Sequence, residues 1–326
     1  MSKRNFTTHA LVAVGMAGLL TACTKEITVD LPPAEEKLVI NGTIEPGEPA
    51  IVVVTRTESF FEPTDFQSLL GIFVKTATVT VDNGNGPVQL ARRSGFNITG
   101  TTLERAAQMI GIDPQIIQAV DLTIYVDTTG MVGEVGRTYA LNVQAEGKTV
   151  SGSSFMRDPE PLDSLWFKLA QQDPGDDSLG FIWQTTSDPP GLGDGYRWLA
   201  KRISANFEGE QKDKIFISPG FASFEDKYID GLTINWAINR GSAPFSTADD
   251  DENEERGYFK RNDTVVVKYV HFGQDEFEFY NSKDANANTQ GDLFSTPSNI
   301  KSTVQGGLGV WACWSVWTDT LVCVPQ

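Results

Sequence analysis

The stretch Thr76-Ala77-Thr78-Val79-Thr80-Val81-Asp82-Asn83-Gly84-Asn85-Gly86, followed by Val88-Gln89-Leu90, decides the fold class. Ala77, Val79 and Val81 alternate with Thr76, Thr78 and Thr80, the period of two expected of a strand with one buried face. Asp, Asn and Gly then fill five positions, and these residues tolerate the backbone angles of a tight turn. The return run at Val88 and Leu90 completes the pattern of a β-hairpin.

Working outward, the same grammar recurs. Lys37-Leu38-Val39-Ile40-Asn41-Gly42 is an apolar run closed by a turn pair, and Ile51-Val52-Val53-Val54-Thr55 is strongly β-branched. Tyr139, Leu141 and Val143 alternate before Glu146-Gly147, and Val150 opens a return strand. One segment breaks the rule. Thr101 to Ile110 starts with a capping Thr and continues in good helix formers, and Asp113-Pro114 supplies an N-cap and a first-turn proline for Gln115 to Val120. This predicts a helical insertion on a sandwich edge, packed on its own sandwich. A boundary is expected at Asp158-Pro159-Glu160-Pro161, where two prolines among acids disfavour regular structure. Beyond it Tyr196, Trp198 and Ala200 alternate with Arg197, Leu199 and Lys201, and Leu232 to Asn239 alternates most cleanly of all. Thr264 to Val270 and Leu308 to Val324 are further strand signals. The reading is a mainly β chain of two antiparallel β-sandwich-like domains, 37–157 and 158–326.

The N-terminus carries a different message. Met1-Ser2-Lys3-Arg4 is a short basic head, and Ala10 to Leu20 is apolar apart from two glycines. That run has the length of a signal-peptide core and falls short of the roughly 20 residues a bilayer span takes. Leu20-Thr21-Ala22-Cys23 resembles the lipobox of bacterial lipoproteins, in which small residues expose the cleavage point and the Cys thiol accepts the diacylglycerol. Residues 1–22 are therefore expected to leave as a signal peptide, Cys23 to be lipidated, and 23–36, with Pro32-Pro33, to serve as a tether. Lys25-Glu26 partly matches a surface-export signal, so the periplasmic and surface faces of the outer membrane both stay open.

Composition limits the function classes. The chain holds 26 Lys and Arg against 43 Asp and Glu. Loss of Lys3 and Arg4 takes the formal charge from −17 to about −19. Such a balance disfavours nucleic acid, whose binding rests on clustered cations. After processing only one histidine remains, His271, in a strand-like run where it reads as a sheet residue. No G-x-S-x-G elbow is present. A His-rich zinc site is excluded by count, and a Cys-rich one needs more thiols than Cys313 and Cys323 provide. The glycine clusters Gly191-Leu192-Gly193-Asp194-Gly195 and Gly306-Gly307-Leu308-Gly309 do not stand between a strand and a helix start, so they read as turns or strand edges. Asp249-Asp250-Asp251-Glu252-Asn253-Glu254-Glu255 lacks EF-hand spacing and reads as a solvated loop. The expectation is a non-enzymatic protein with no cofactor and no metal.

Two features of the C-terminus stand out. Trp311, Trp314 and Trp317 crowd one strand, and period two sends Trp311 and Trp317 to one face and Trp314 to the other. One face belongs to the core; the other packs on a neighbouring domain or forms a partner or ligand surface. Cys313 and Cys323 flank Trp317-Thr318-Asp319, a candidate turn, and a disulfide between them is expected. It would add about 2–3 kcal/mol by closing a short loop.

Taken in order, these segments resemble a family of Bacteroidota lipoproteins, domain of unknown function 4249. Leu38-Val39-Ile40-Asn41-Gly42 matches its first strand, Thr78-Val79-Thr80-Val81 with its turn the next hallmark, and Gly136 to Val143 its "GxxYxLxV" strand. Asp230-Gly231 and Asn262 to Val267 resemble later segments, and Phe294 to Ile300 with Gly306 to Trp311 its closing signature. The helical stretch at 101–120 and the tail past Trp314 are longer than the family pattern. The resemblance implies that the first domain is immunoglobulin-like. It also implies an accessory lipoprotein of the outer membrane, partnered with a TonB-dependent receptor or uptake complex. The alternative is a carbohydrate- or ligand-binding lipoprotein that uses exposed aromatics.

Overall fold

The Thr76–Leu90 stretch folds as the hairpin its pattern predicts. Thr78–Asp82 pairs antiparallel with Pro87–Gln89, with Thr80 opposite Gln89 and Val81 opposite Val88. Val79 and Val81 are wholly buried, and Asp82 Oδ1 accepts hydrogen bonds from the Gly84 and Gly86 amides, which closes the turn. The structure is a computed structural model and describes residues 35–57, 66–170, 178–241, 255, 257–289 and 299–325. The signal peptide, Cys23, nearly all of the tether, Asp249–Glu254 and Phe294–Ser298 lie outside those residues.

In chain order the N-terminal half holds β1 (Leu38–Ile44), β2 (Ile51–Arg56), α1 (Phe66–Gly71), β3 (Thr78–Asp82), β4 (Pro87–Gln89) and β5 (Ala91–Ser94). Then come α2 (Gly100–Ile110), α3 (Pro114–Ala119), β6 (Thr123–Val126), β7 (Thr138–Ala145) and β8 (Lys148–Phe155). The rest holds β9 (Ser164–Leu169), β10 (Leu179–Ser187), β11 (Asp194–Arg202), β12 (Ser223–Glu225), β13 (Thr233–Ile238) and β14 (Phe259–Lys260). It ends with β15 (Thr264–Gly273), α4 (Gln274–Thr289), β16 (Val304–Gln305), β17 (Leu308–Cys313) and β18 (Ser315–Val322).

The strands form four sheets. Two five-stranded sheets, β17-β1-β2-β6-β5 and β16-β8-β7-β3-β4, face each other across a core that includes Leu38, Val52, Val79, Tyr139, Leu141 and Trp311. Two four-stranded sheets, β12-β11-β15-β18 and the β9, β10, β13, β14 set, enclose a second core around Phe167, Ile182, Tyr196, Trp198 and Tyr269. The β7–β8 turn has Glu146 and Gly147 both at positive φ, the geometry of a two-residue primed turn, and Ala145 opposite Lys148 closes it.

The mainly β, sandwich-like reading therefore holds, with three corrections. The boundary at 158 does not separate two bodies. β16 and β17 return to the N-terminal sandwich, where β17 pairs parallel with β1, and β18 then pairs with β15 in the other one. One extended run from Leu308 to Val322, interrupted only at Trp314, thus belongs to both sandwiches, and Glu36–Gln326 is one compact unit.

The second correction is the expected disulfide. Thr318 is no turn, because Ser315–Val322 continues as strand. Cys313 ends in the first core and Cys323 in the second, and both are free, buried thiols. Burial pushes the Cys313 thiol up to about 12, and Cys323 also lies above its ordinary value.

The third is α4, which strand-seeking periodicity missed. Its apolar residues crowd the first two turns, where Phe277 and Tyr280 pack with Leu199, Val270, Phe272, Val310 and Trp314. This cluster joins the outer faces of the two sandwiches. The signal available was a run of 16 residues without Gly or Pro, opened by Asp275 and Glu276 in the first turn.

The helical insertion packs as expected. Asp113 accepts from the Gln115 amide as N-cap of α3. Leu103, Ala106, Ala107 and Ile117 cover Ile51, Val53, Ile124 and Val126 on the outer face of the first sheet. The Thr expected to cap α2 does not: the cap position is Thr99, and its side chain makes no capping bond.

Candidate functional site

The three tryptophans expected at a surface separate into three environments. Trp311 is 0% exposed, donates Nε1 to the Tyr139 carbonyl and sits in the first core. Trp314 is 6% exposed and donates Nε1 to the Tyr280 hydroxyl. Trp317 is half-buried against the second core. The trio forms no common partner surface, because the chain crosses from one sheet to another at Trp314 and period two does not carry through the crossing.

His271 is also structural in its contacts. Nδ1 lies 2.7 Å from the Asp158 carbonyl, so β15 fastens the acidic proline-rich segment. Nε2 lies 3.0 Å from Asp194 Oδ1, an ion-pair distance without hydrogen-bond geometry. Arg157 NH1 reaches the same Asp194 oxygen at 2.6 Å, and Tyr196 stacks on the imidazole. Among the described residues, no nucleophile hydrogen-bonds this histidine, and no group of three His, Cys, Asp or Glu is placed to hold a metal ion.

Glu255 departs from the sequence reading. The sequence places it in a solvated acidic run, yet it is 1% exposed. Its Oε2 receives Arg202 NH1 at 2.7 Å, and Lys212 and Lys260 lie at 3.6 Å. Arg202 also forks onto Asp213, with Nε to Oδ2 at 3.0 Å and NH2 to Oδ1 at 2.8 Å. Lys212 donates to Asp263 at 2.9 Å. Burial by itself would lower Arg202, but the Asp213 hydrogen bond and the charges of Asp213, Asp263 and Glu255 hold it above its ordinary value. This network ties the 203–213 loop to β11 and β15.

The arrangement best suited to binding is a cleft between the helical insertion and the second half of the chain. Two adjoining cavities, of about 90 and 130 Å³, share Gln108 of α2 and Phe216. Cations stand on its aromatic rings. Lys201 and Lys268 each lie 4.9 Å from the Phe216 centroid, and Arg197 lies 4.9 Å from that of Tyr280. In the larger cavity Arg105 and Lys268 share Glu45, at 3.2 and 3.1 Å. In the smaller, Arg197 chelates Asp284 through NH1 at 2.7 Å and NH2 at 3.2 Å. None of these residues stood out in the sequence, since they come from α2, β11, β15, α4 and a loop.

A second surface lies on the open face of the β9–β10–β13 sheet. Trp166 and Trp183 are cross-strand partners with centroids 6.3 Å apart, and Lys168 Nζ lies 4.8 Å from the Trp183 ring. Beside them a polar row crosses three strands: Ser164 donates to Thr185 at 2.8 Å, and Thr185 to Asn235 at 2.7 Å.

The motifs of the N-terminal sandwich have structural explanations that bear on relatedness. Asn41 donates Nδ2 to the Met109 carbonyl at 2.8 Å, fixing α2 to β1. Gly42 lies beneath the Trp311 ring, where a Cβ would come within 2.8 Å of Cε3. Gly309 has φ +105°, and a Cβ there would fall 1.9 Å from the Ile40 carbonyl oxygen. The first strand and the closing signature are thus one contact, the β1–β17 pair. No curated protein matches the chain. The model of a family described as Domain of unknown function (DUF4249) matches residues 24–320. Matched over all but its first 23 and last six residues, the chain belongs to that family.

Proposed function

We propose that the protein is a non-enzymatic lipoprotein, held to the outer membrane by acyl chains on Cys23, that acts as an accessory subunit of a TonB-dependent receptor or uptake complex. The observation carrying the anchor is the N-terminal sequence, a basic head, an apolar run and Leu20-Thr21-Ala22-Cys23, and the receptor partnership rests on the family resemblance alone. The tether after it, extended, reaches on the order of 40 Å from the membrane. It leads into a body whose first strand, β1, lies inside a sheet between β2 and β17. A lipid fixes such a body to a membrane without a spanning helix. Palmitate labelling, blocked by Cys23→Ser and by globomycin, tests the anchor. Pull-down from gently solubilised membranes tests the partner, and recovery without a large β-barrel receptor removes the receptor role.

The Trp166–Trp183 face favours a second reading, a carbohydrate-binding lipoprotein. Flat indoles suit sugar C–H faces, and the Ser164–Thr185–Asn235 row offers hydroxyl and amide partners for sugar hydroxyls. Retention on a glycan array that Trp166→Ala and Trp183→Ala abolish supports it; retention that survives both changes rejects it.

A further inference from the structure

We propose that the smaller cavity of the cleft is a binding site for a small oxyanion, a phosphate or carboxylate group, held by Lys283 and Gln108 beside Arg197. Three observations converge. Lys283 of α4 lines the cavity and has no hydrogen-bond or ion-pair partner among the described residues. Gln108 Nε2 is buried in the cavity wall with no acceptor. Such a donor costs free energy unless something fills the space before it. The charge of the lining is the third. The body is strongly acidic, yet this cavity is lined by two cations and no acid. Asp284, the neighbouring carboxylate, has both oxygens committed to Arg197.

The buried Gln108 amide and the exposed Lys283 ammonium are both donors, one of them charged, so an acceptor bearing negative charge complements the pair. Phe216, Tyr280 and Trp314 form apolar walls beside them, so an oxyanion with a short apolar substituent fits the lining. At about 90 Å³ the space holds a group of a few heavy atoms and excludes a polymer. The inference does not depend on lipidation or on a receptor.

The test is titration of the full mature chain in detergent with sodium phosphate and, separately, with sodium butyrate, at constant ionic strength, read by tryptophan fluorescence and calorimetry. Saturable binding of either probe is expected, and the one that binds assigns a tetrahedral or a planar group. Lys283→Met, an exposed substitution that leaves the core intact, is expected to weaken it about tenfold, the scale of one charge-assisted hydrogen bond. Gln108→Leu weakens it to a smaller degree. Lys148→Met, on β8 and outside the cavity lining, leaves it unchanged. Absence of saturable binding with both probes, or Lys283→Met binding as the parent does, overturns the assignment.

Discussion

Gly42→Ala is a one-methyl change with a worked consequence. The added carbon would stand 2.8 Å from Trp311 Cε3 and 3.2 Å from Val52 Cγ2. The indole cannot slide away. Its Nε1 is hydrogen-bonded to the Tyr139 carbonyl at 2.8 Å, and Gly152 lies close to the base of the side chain, where an added Cβ would come within 3.3 Å of the Trp311 Cβ. Nor can the backbone yield, since Gly42 pairs with Val52 on one side and Trp311 on the other. Overpacking of this kind costs about 1–3 kcal/mol, and the lower backbone entropy of Ala returns about 0.5–1 kcal/mol. A net loss of about 1–2 kcal/mol is expected, read from urea midpoints by circular dichroism. The decisive measurement is the same change in a Trp311→Leu background, where the clash is gone and the loss should shrink to nearly zero. Equal losses in the two backgrounds would refute the account.

Four further outcomes follow. Arg202→Met leaves Asp213 and Glu255 buried without their shared cation, so a loss of about 3–5 kcal/mol in urea unfolding is expected. An unchanged midpoint would show the network to be neutral. Cys313 and Cys323 should resist thiol reagents in the native protein and react as two free thiols on denaturation; a single disulfide by mass would contradict the separate cores. Glu276 is held above the ordinary carboxylate range chiefly by burial, so the fold binds its proton more tightly than the unfolded chain does. Its contribution is full below that ordinary range and lost as pH rises through the raised one, and Glu276→Gln should therefore flatten the stability profile there. Calorimetry should show one unfolding transition, because Leu308–Val322 belongs to both sandwiches; two resolved transitions would mean they unfold separately.

Local alternation determined much of this protein without help. The hairpin at Thr76–Leu90, the Glu146-Gly147 turn, the Asp113 N-cap and the mainly β class are short-range consequences of residue type, since period, turn chemistry and capping act over a few residues. The same holds for β13, whose alternation marks a half-buried strand with one face inward. The motif order likewise sufficed for the family.

Tertiary structure decided everything that depends on distant pairing. β17 reads as one more strand, yet only its parallel pairing with β1 explains Gly42 and Gly309, places Trp311 in the first core and parts Cys313 from Cys323. β11 alternates like a half-buried strand, but its second face is covered by α4, which leaves Leu199 buried and Arg197 stacked on Tyr280. Glu255 looks solvated beside six polar neighbours and becomes the partner of Arg202 only through a contact 53 positions away. The cleft draws Gln108, Phe216 and Lys283 from segments more than 60 residues apart. The pattern of a segment reports which face is apolar. What covers that face depends on chain segments that meet only in the folded state, and no local period encodes it.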